Sequence, residues 1–206
     1  KDALEIFDSV EETEQIIIQK MKILSYLELT DQFENLYNKV HKSPTVIKFY
    51  YELSNQYKEF IDYIEQNEPI TDNSSVDDVI DYAYGLLKIG DYARVERVLK
   101  PYYDSPAYSN GSIIINYLFA RQKQGKNVET QIKNKITESK YIQYGDLEKL
   151  GAYGVLENRQ EMYRYLSKIL KNEPIMKYNI DKWPIMEKYK NEEKYKTLMK
   201  RAPNLL

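Results

Sequence analysis

Apolar residues recur at three- and four-residue steps along most of the chain, and the stretch from Ser75 to Pro106 shows the pattern most plainly. Val79, Tyr82, Ala83, Leu86 and Leu87 fall on one helical face, and after Gly90-Asp91-Tyr92 a second face is drawn by Val95, Val98, Leu99 and Tyr102. A helix pair this short does not bury its apolar stripe alone; it needs a neighbour stacked against it.

The same organisation extends to either side. Leu4, Ile6 and Phe7 fit a short first helix, and Glu11 to Leu27 a longer one through Ile17, Met21, Leu24 and Leu27. Thr30-Asp31 interrupts the pattern, with Asp31 the expected N-cap of a helix through Phe33, Leu36, Tyr37 and Val40 that stops before Pro44. Thr45 to Gln56 and Tyr57 to Gln66 form a less regular pair turning near Asn55. Asn67 to Ser75, with Pro69 and several polar turn formers, is the most loop-like segment and the expected joint. Beyond the central pair, Ser109 to Gln124 and Val128 to Ser139 turn at Gly125-Lys126, and Gly145 to Glu157 and Gln160 to Lys171 turn at Asn158-Arg159.

The turn centres Thr30, Asn55, Gly90, Gly125 and Asn158 lie 25, 35, 35 and 33 residues apart. With this period, Lys88-Ile89-Gly90-Asp91-Tyr92 resembles the lysine-x-glycine-aspartate-tyrosine turn of tetratricopeptide repeats, across residues 75–171 and more loosely across 12–66. The resemblance implies an all-α fold, a right-handed superhelical solenoid of about five helix pairs with a C-terminal capping helix. Its parts would be less regular pairs over 1–68, three pairs over 75–171 and a cap over 172–206. The chain departs from the family at Val95, where a small alanine is usual, at Leu99, where an aromatic is usual, and at Asn158, which replaces a turn glycine but tolerates a left-handed backbone.

Pro174, Pro184 and Pro203 break the period, and Glu187 to Lys200 then offers a short amphipathic helix. Trp183-Pro184-Ile185-Met186, followed by residues 193–201, is similar to the endings of bacterial tetratricopeptide proteins, among them sensor and transcription-regulator chains. Trp183, the sole tryptophan, reads as a plug of the cap, with a ligand anchor as the alternative.

Composition narrows the function classes. Lys and Arg total 30 against 32 for Asp and Glu, so the field that draws nonspecific nucleic acid or an anionic membrane is missing. Having no cysteine, the chain forms no disulfide, thiol nucleophile or cysteine metal site. No apolar run approaches the ~20 residues a membrane helix needs. The 21 tyrosines, beside abundant Lys, Ile and Asn, read as an AT-rich compositional bias in which most rings fill space between helices; stacking platforms for sugars or bases are the alternative. The chain begins at Lys1 rather than Met, which fits a processed product or an excised fragment, and a cysteine-free composition leaves the compartment open, the cytoplasm being slightly favoured over a chain whose signal peptide was removed.

Catalytic chemistry finds little support. His41 is the only histidine, which removes multi-histidine metal sites, and no nucleophile-elbow sequence accompanies it. Gly85 and Gly90 have phosphate-loop spacing, but Asp91 stands where the lysine belongs. Asp77-Asp78 and Glu192-Glu193 diverge by about 100° on a helix and read as surface charge. Asn73-Ser74-Ser75 and Asn110-Gly111-Ser112 match the glycosylation sequon, which matters only in a secreted chain. No catalytic residue, cofactor or metal is expected.

Asp77, Asp81, Tyr84 and Lys88 share the face opposite the core stripe; one period on stand Ser112, Asn116, Phe119 and Lys123, and one further Gly145, Lys149, Ala152 and Leu156. In the family the first helices of each pair line a concave groove. The resemblance therefore implies a peptide- or protein-binding groove of Asp81, Tyr84, Lys88, Asn116, Phe119, Lys123 and Lys149. Tyr84 and Phe119 would take apolar anchors, Asn116 a peptide backbone, and the lysines acidic groups. The plainer alternative is a solvated face with Phe119 buried against a neighbouring helix. The family's carboxylate clamp for chaperone tails needs Lys and Asn where Ile80 and Tyr84 stand, so that partner is not expected. The expected function is a non-catalytic protein- or peptide-binding scaffold or adaptor. A ligand- or peptide-sensing regulatory domain of a larger transcriptional or signalling protein is the alternative, and an all-α enzyme a remote one. Direct nucleic-acid contact and membrane insertion are not expected.

Overall fold

The computed structural model describes residues 13–105, 110–137 and 144–202, and among them every regular element is a helix. The chain divides into two compact units, one up to Ile70 and one from Thr71 onward. The helix expected around Leu4, Ile6 and Phe7 lies outside the described residues.

The first unit contains α1 (Glu14–Tyr26), α2 (Thr30–Lys39), α3 (Pro44–Leu53) and α4 (Tyr57–Asn67). α1 starts where the Thr13 hydroxyl accepts from the Ile16 N–H. α3 starts where Ser43 accepts from Val46, with Pro44 in the first turn, where its missing N–H costs nothing. α2 differs from expectation: Leu29, not Asp31, is the N-cap, and no side chain caps it. Asp31 is the second residue of the helix, within its first turn, where its carboxylate still meets the positive end of the helix dipole. α1 packs on α2 and α3, and α3 on α4. Ile17, Ile18, Met21, Leu24, Phe33, Val46 and Leu53 form the core of the first three helices.

The second unit contains α5 (Val76–Lys88), α6 (Tyr92–Asp104), α7 (Gly111–Lys123), α8 (Glu129–Ile132, widening into a π-helical Lys133–Thr137), α9 (Asp146–Val155) and α10 (Arg159–Asn172). Its tail carries α11 (Met176–Lys182), a 3-10 stretch (Pro184–Tyr189) and α12 (Glu193–Arg201). The helix expected over 187–200 is thus broken between Tyr189 and Glu193, and α11 forms where the sequence showed no apolar period. α5 packs on α6 and α7, α6 on α7, α7 on α8 and α9, and α9 on α10. Successive helices touch, and so do the first helices of successive pairs, as a helical repeat requires. Val95 and Leu99, the two departures from family residue types, are completely buried and fill this core directly.

Five helices, α1, α3, α5, α7 and α9, end in the same hydrogen-bonded motif. The pairs of N–H to C=O bonds are Leu29 to Leu24 with Glu28 to Ser25, and Gln56 to Tyr51 with Asn55 to Glu52. They recur as Asp91 to Leu86 with Gly90 to Leu87, Lys126 to Arg121 with Gly125 to Gln122, and Asn158 to Tyr153 with Glu157 to Gly154. Each is a Schellman ending, which needs one left-handed residue. That residue is Glu28, Asn55, Gly90, Gly125 or Glu157, at φ of 58°, 60°, 77°, 78° and 57°. The first and last turn centres are therefore Glu28 and Glu157 rather than Thr30 and Asn158. Asn158 has φ −77° and instead caps α10 by accepting from the Glu161 N–H.

Candidate functional site

In the second unit the C-terminal tail lies across the face made by α5, α7 and α9. On α5, Tyr84 and Lys88 are one turn apart, so both reach the same point. The Tyr84 hydroxyl donates to the Lys182 carbonyl at 3.0 Å, and the Lys88 ammonium donates to it at 2.8 Å. Lys182 is the last residue of α11, so its carbonyl has no partner within that helix.

On α7, Asn116 is 4% exposed, and its side-chain oxygen accepts from the Trp183 indole N–H at 3.2 Å. The ring occupies space that α9 leaves free by having no side chain at Gly151. A Cβ there would overlap the Trp183 ring and stand 3.1 Å from the Ile115 Cγ2. Gly154 repeats the device one turn on, where a Cβ would meet Ile185 at 2.8 Å and Met186 at 2.9 Å. The Tyr189 hydroxyl closes the contact by donating to the Gly154 carbonyl at 2.7 Å. Ile185, Met186 and Tyr189 are fully buried; Trp183 is half-buried.

The expected groove residues thus fall into three groups. Tyr84, Lys88 and Asn116 converge beneath the tail. Phe119 is 1% exposed and meets the Tyr92 ring edge-on at 6.2 Å, so it faces α6 as core. Asp81 and Lys123 are exposed and Lys149 half-exposed, with the Lys123 ammonium 5.3 Å over the Phe119 ring and that of Lys149 6.0 Å over Tyr165. Gly151, Gly154 and the Lys182 carbonyl were not anticipated. The signal for the glycines was present: a glycine inside a helix costs about 1 kcal/mol against alanine, so two in Leu150-Gly151-Ala152-Tyr153-Gly154 mark a close approach.

Charge on this face is shaped by burial. Desolvation lowers the Lys88 pKa, and the ammonium groups of Lys190 and Lys182 push it further down, against Glu187 and Asp181. Between α6 and the end of α7, the Lys126 ammonium at 2.6 Å and the Gln124 amide at 3.0 Å hold the Glu96 carboxyl below the usual range. Lys188, at 2.8 Å, does the same for Glu157 at the edge of the tail.

Between the α7–α8 and α9–α10 turns lies an open cavity of about 600 Å³ lined by Gln122, Asn127, Tyr153 and Asn158 among others. Its charged walls are internally paired, Lys126 with Glu96, Lys133 with Glu129, and Glu161 with Arg164. Among the described residues no three His, Asp or Glu side chains are grouped to hold a metal, and no helix is long and apolar enough to cross a membrane.

No protein-family model, curated protein or solved structure matches the chain. What the structure offers in their place is a helix face that holds a backbone carbonyl from two side chains, an indole N–H from a third, and apolar side chains over two glycines.

Proposed function

We propose that the chain is a non-catalytic, tetratricopeptide-like binding module that takes a protein or peptide segment on the face formed by α5, α7 and α9. Stacked helix pairs with a common ending support the repeat architecture, in which that face is the concave one. The observation that carries the binding reading is the shared carbonyl. Tyr84 and Lys88 hold a main-chain carbonyl at the end of a short helix, a contact that does not depend on the side chains of the segment that brings it. Here the segment is the chain's own tail, and Asp81, Lys123 and Lys149 stand at the surface to meet a partner. The test is affinity capture from the source proteome with the intact chain and with an Asp81→Ala, Lys123→Ala, Lys149→Ala variant. Partners lost by the variant, at unchanged helicity, support the reading; identical capture rejects it.

Occupation of this face in cis favours a second reading, a regulatory domain whose binding face is exposed only in one state. It differs from a constitutive adaptor in that capture would rise when the tail is loosened.

A further inference from the structure

The tail has two parts of unequal hold. From Ile185 to Tyr189 the side chains of Ile185, Met186 and Tyr189 are 0% exposed, an anchor built into the core. Before it, between Pro174 and Pro184, only Ile180 is buried, and Ile175 is 43% exposed. This strap, residues 175–183, is held by the apolar seats of Ile180 and the Trp183 ring and by polar contacts: the Lys182 carbonyl on Tyr84 and Lys88, the Trp183 indole on Asn116, and the Asp181 carboxylate accepting from Tyr195 at 3.2 Å. Its helix has seven residues, too few to persist without those contacts.

Three features around Trp183 exceed what a cap needs. Any apolar side chain would cover α9, yet α7 places a buried amide there, which is costly unless an N–H reaches it. Gly151 leaves the space that the ring takes: a Cβ there would overlap the Trp183 Cη2 and stand 2.9 Å from its Cζ2. Trp183 has φ −69° and ψ 123°, the extended backbone that a following proline enforces, so Pro184 presents the indole from a fixed angle. Together they select an indole on a Trp-Pro step.

We propose that the slot between Asn116 and Gly151 is a recognition site for a tryptophan of a partner polypeptide, offered on an extended Trp-Pro step, and that residues 175–183 are its resident occupant, displaced when the partner binds. The proposal rests on the reading of this face as a polypeptide-binding surface and adds the chemistry of the anchor. The resident indole competes at an effective concentration on the order of millimolar, so removing it unmasks the slot.

The experiment uses the intact chain and a fluorescein-labelled nonapeptide, YNIDKWPIM, which spans residues 178–186 and so carries the Trp-Pro step with part of the strap before it and the first two anchor residues after it, followed by anisotropy. Trp183→Ala is expected to bind the peptide at least about tenfold more tightly than the unaltered chain. Binding is expected to vanish for the peptide with alanine in place of tryptophan, and for the intact chain carrying Trp183→Ala with Gly151→Val. Equal affinity of the unaltered and Trp183→Ala chains, or no binding by either, overturns the proposal. Should Trp183→Ala lose helicity, hydrogen exchange of the unaltered chain decides. Amides 176–183 exchanging at least about tenfold faster than 185–189 support an opening strap, and equal protection overturns it. Failure of the peptide while the Asp81, Lys123 and Lys149 variant still loses its partners removes the indole site alone. Capture indifferent to that variant removes the wider reading, whatever the peptide does.

Discussion

The indole N–H of Trp183 donates to the side-chain oxygen of Asn116 across 67 positions of sequence, and this bond ties the tail to the middle helix of the second unit. Trp183→Phe keeps an aromatic ring but strands the Asn116 amide, with an expected loss of about 1–3 kcal/mol. Asn116→Leu in the same chain should recover part of that loss. A double-mutant cycle by urea denaturation is expected to give a coupling of about 0.5–3 kcal/mol; additive losses would mean that the two groups do not interact.

Gly151→Ala sets two effects against each other. Helix propensity gains about 1 kcal/mol, while the new methyl group would overlap the Trp183 Cη2, so the half-buried ring must shift out of its seat. Overpacking of this kind costs about 1–3 kcal/mol, so net destabilisation is expected. Because Trp183 is the only tryptophan, its emission reads the outcome directly: expulsion shifts it to the red. An unshifted spectrum with higher stability would show the slot to be looser than described.

The left-handed endings predict opposite signs at similar positions. Glu28→Gly relieves a backbone conformation that costs a side chain about 1–2 kcal/mol, less the entropy glycine adds to the unfolded chain, so stabilisation of up to about 1 kcal/mol is expected; Glu157→Gly gains less, because it also removes the ion pair with Lys188. Gly90→Ala introduces that strain with nothing within 4 Å to clash, and should cost about 1 kcal/mol from backbone alone. Thermal unfolding of the three variants tests the ordering.

Acid should loosen the α6–α7 junction. The Glu96 carboxyl is held below its ordinary pKa by Lys126, so its contribution is present above the unfolded-state value of about 4.3 and is lost as pH falls through the depressed folded value. Glu96→Gln should be less stable than the unaltered chain by about 1 kcal/mol at pH 7 and equal to it near pH 2. A difference that persists at the acid end would assign the loss to packing.

Alkali acts on the tail from the other side. Burial raises the pKa of Tyr195, Tyr189 and Tyr163, with Asp181 adding to it at Tyr195 and Glu192 at Tyr163. Folding therefore favours their protonated forms: the stabilisation is complete below the unfolded value of about 10 and is lost as pH rises beyond it. Phenolate absorbance near 295 nm should rise in two stages, the second coinciding with loss of helical circular dichroism. A single stage completed while the helices persist would contradict this burial.

How far the sequence disclosed these features depended on the range of the cause. The helices followed from three- and four-residue apolar steps, and Gly90 and Gly125 marked two turns because glycine is the usual left-handed residue. The first and last turns were displaced by one or two residues because Glu28 and Glu157 carry no such mark; only the six-residue hydrogen-bond ring fixes them. Tyr84 and Lys88 were legible as a pair by helical spacing. Their partner was not, because a main-chain carbonyl 94 or more residues away leaves no trace in the side-chain pattern. For Phe119 the sequence left two places open, the groove that the resemblance implies and burial against a neighbouring helix; the α6 interface, with Tyr92 against the ring, is the second.

The order of synthesis gives the position of the strap a temporal meaning. α5, α7 and α9 leave the ribosome before residues 175–189 do, so a nascent chain that folds this face first would present Tyr84, Lys88 and Asn116 without the strap that covers them in the finished protein. A partner present at that stage would meet the site bare, with no occupant to evict. Association during translation would then be faster than association with the finished protein.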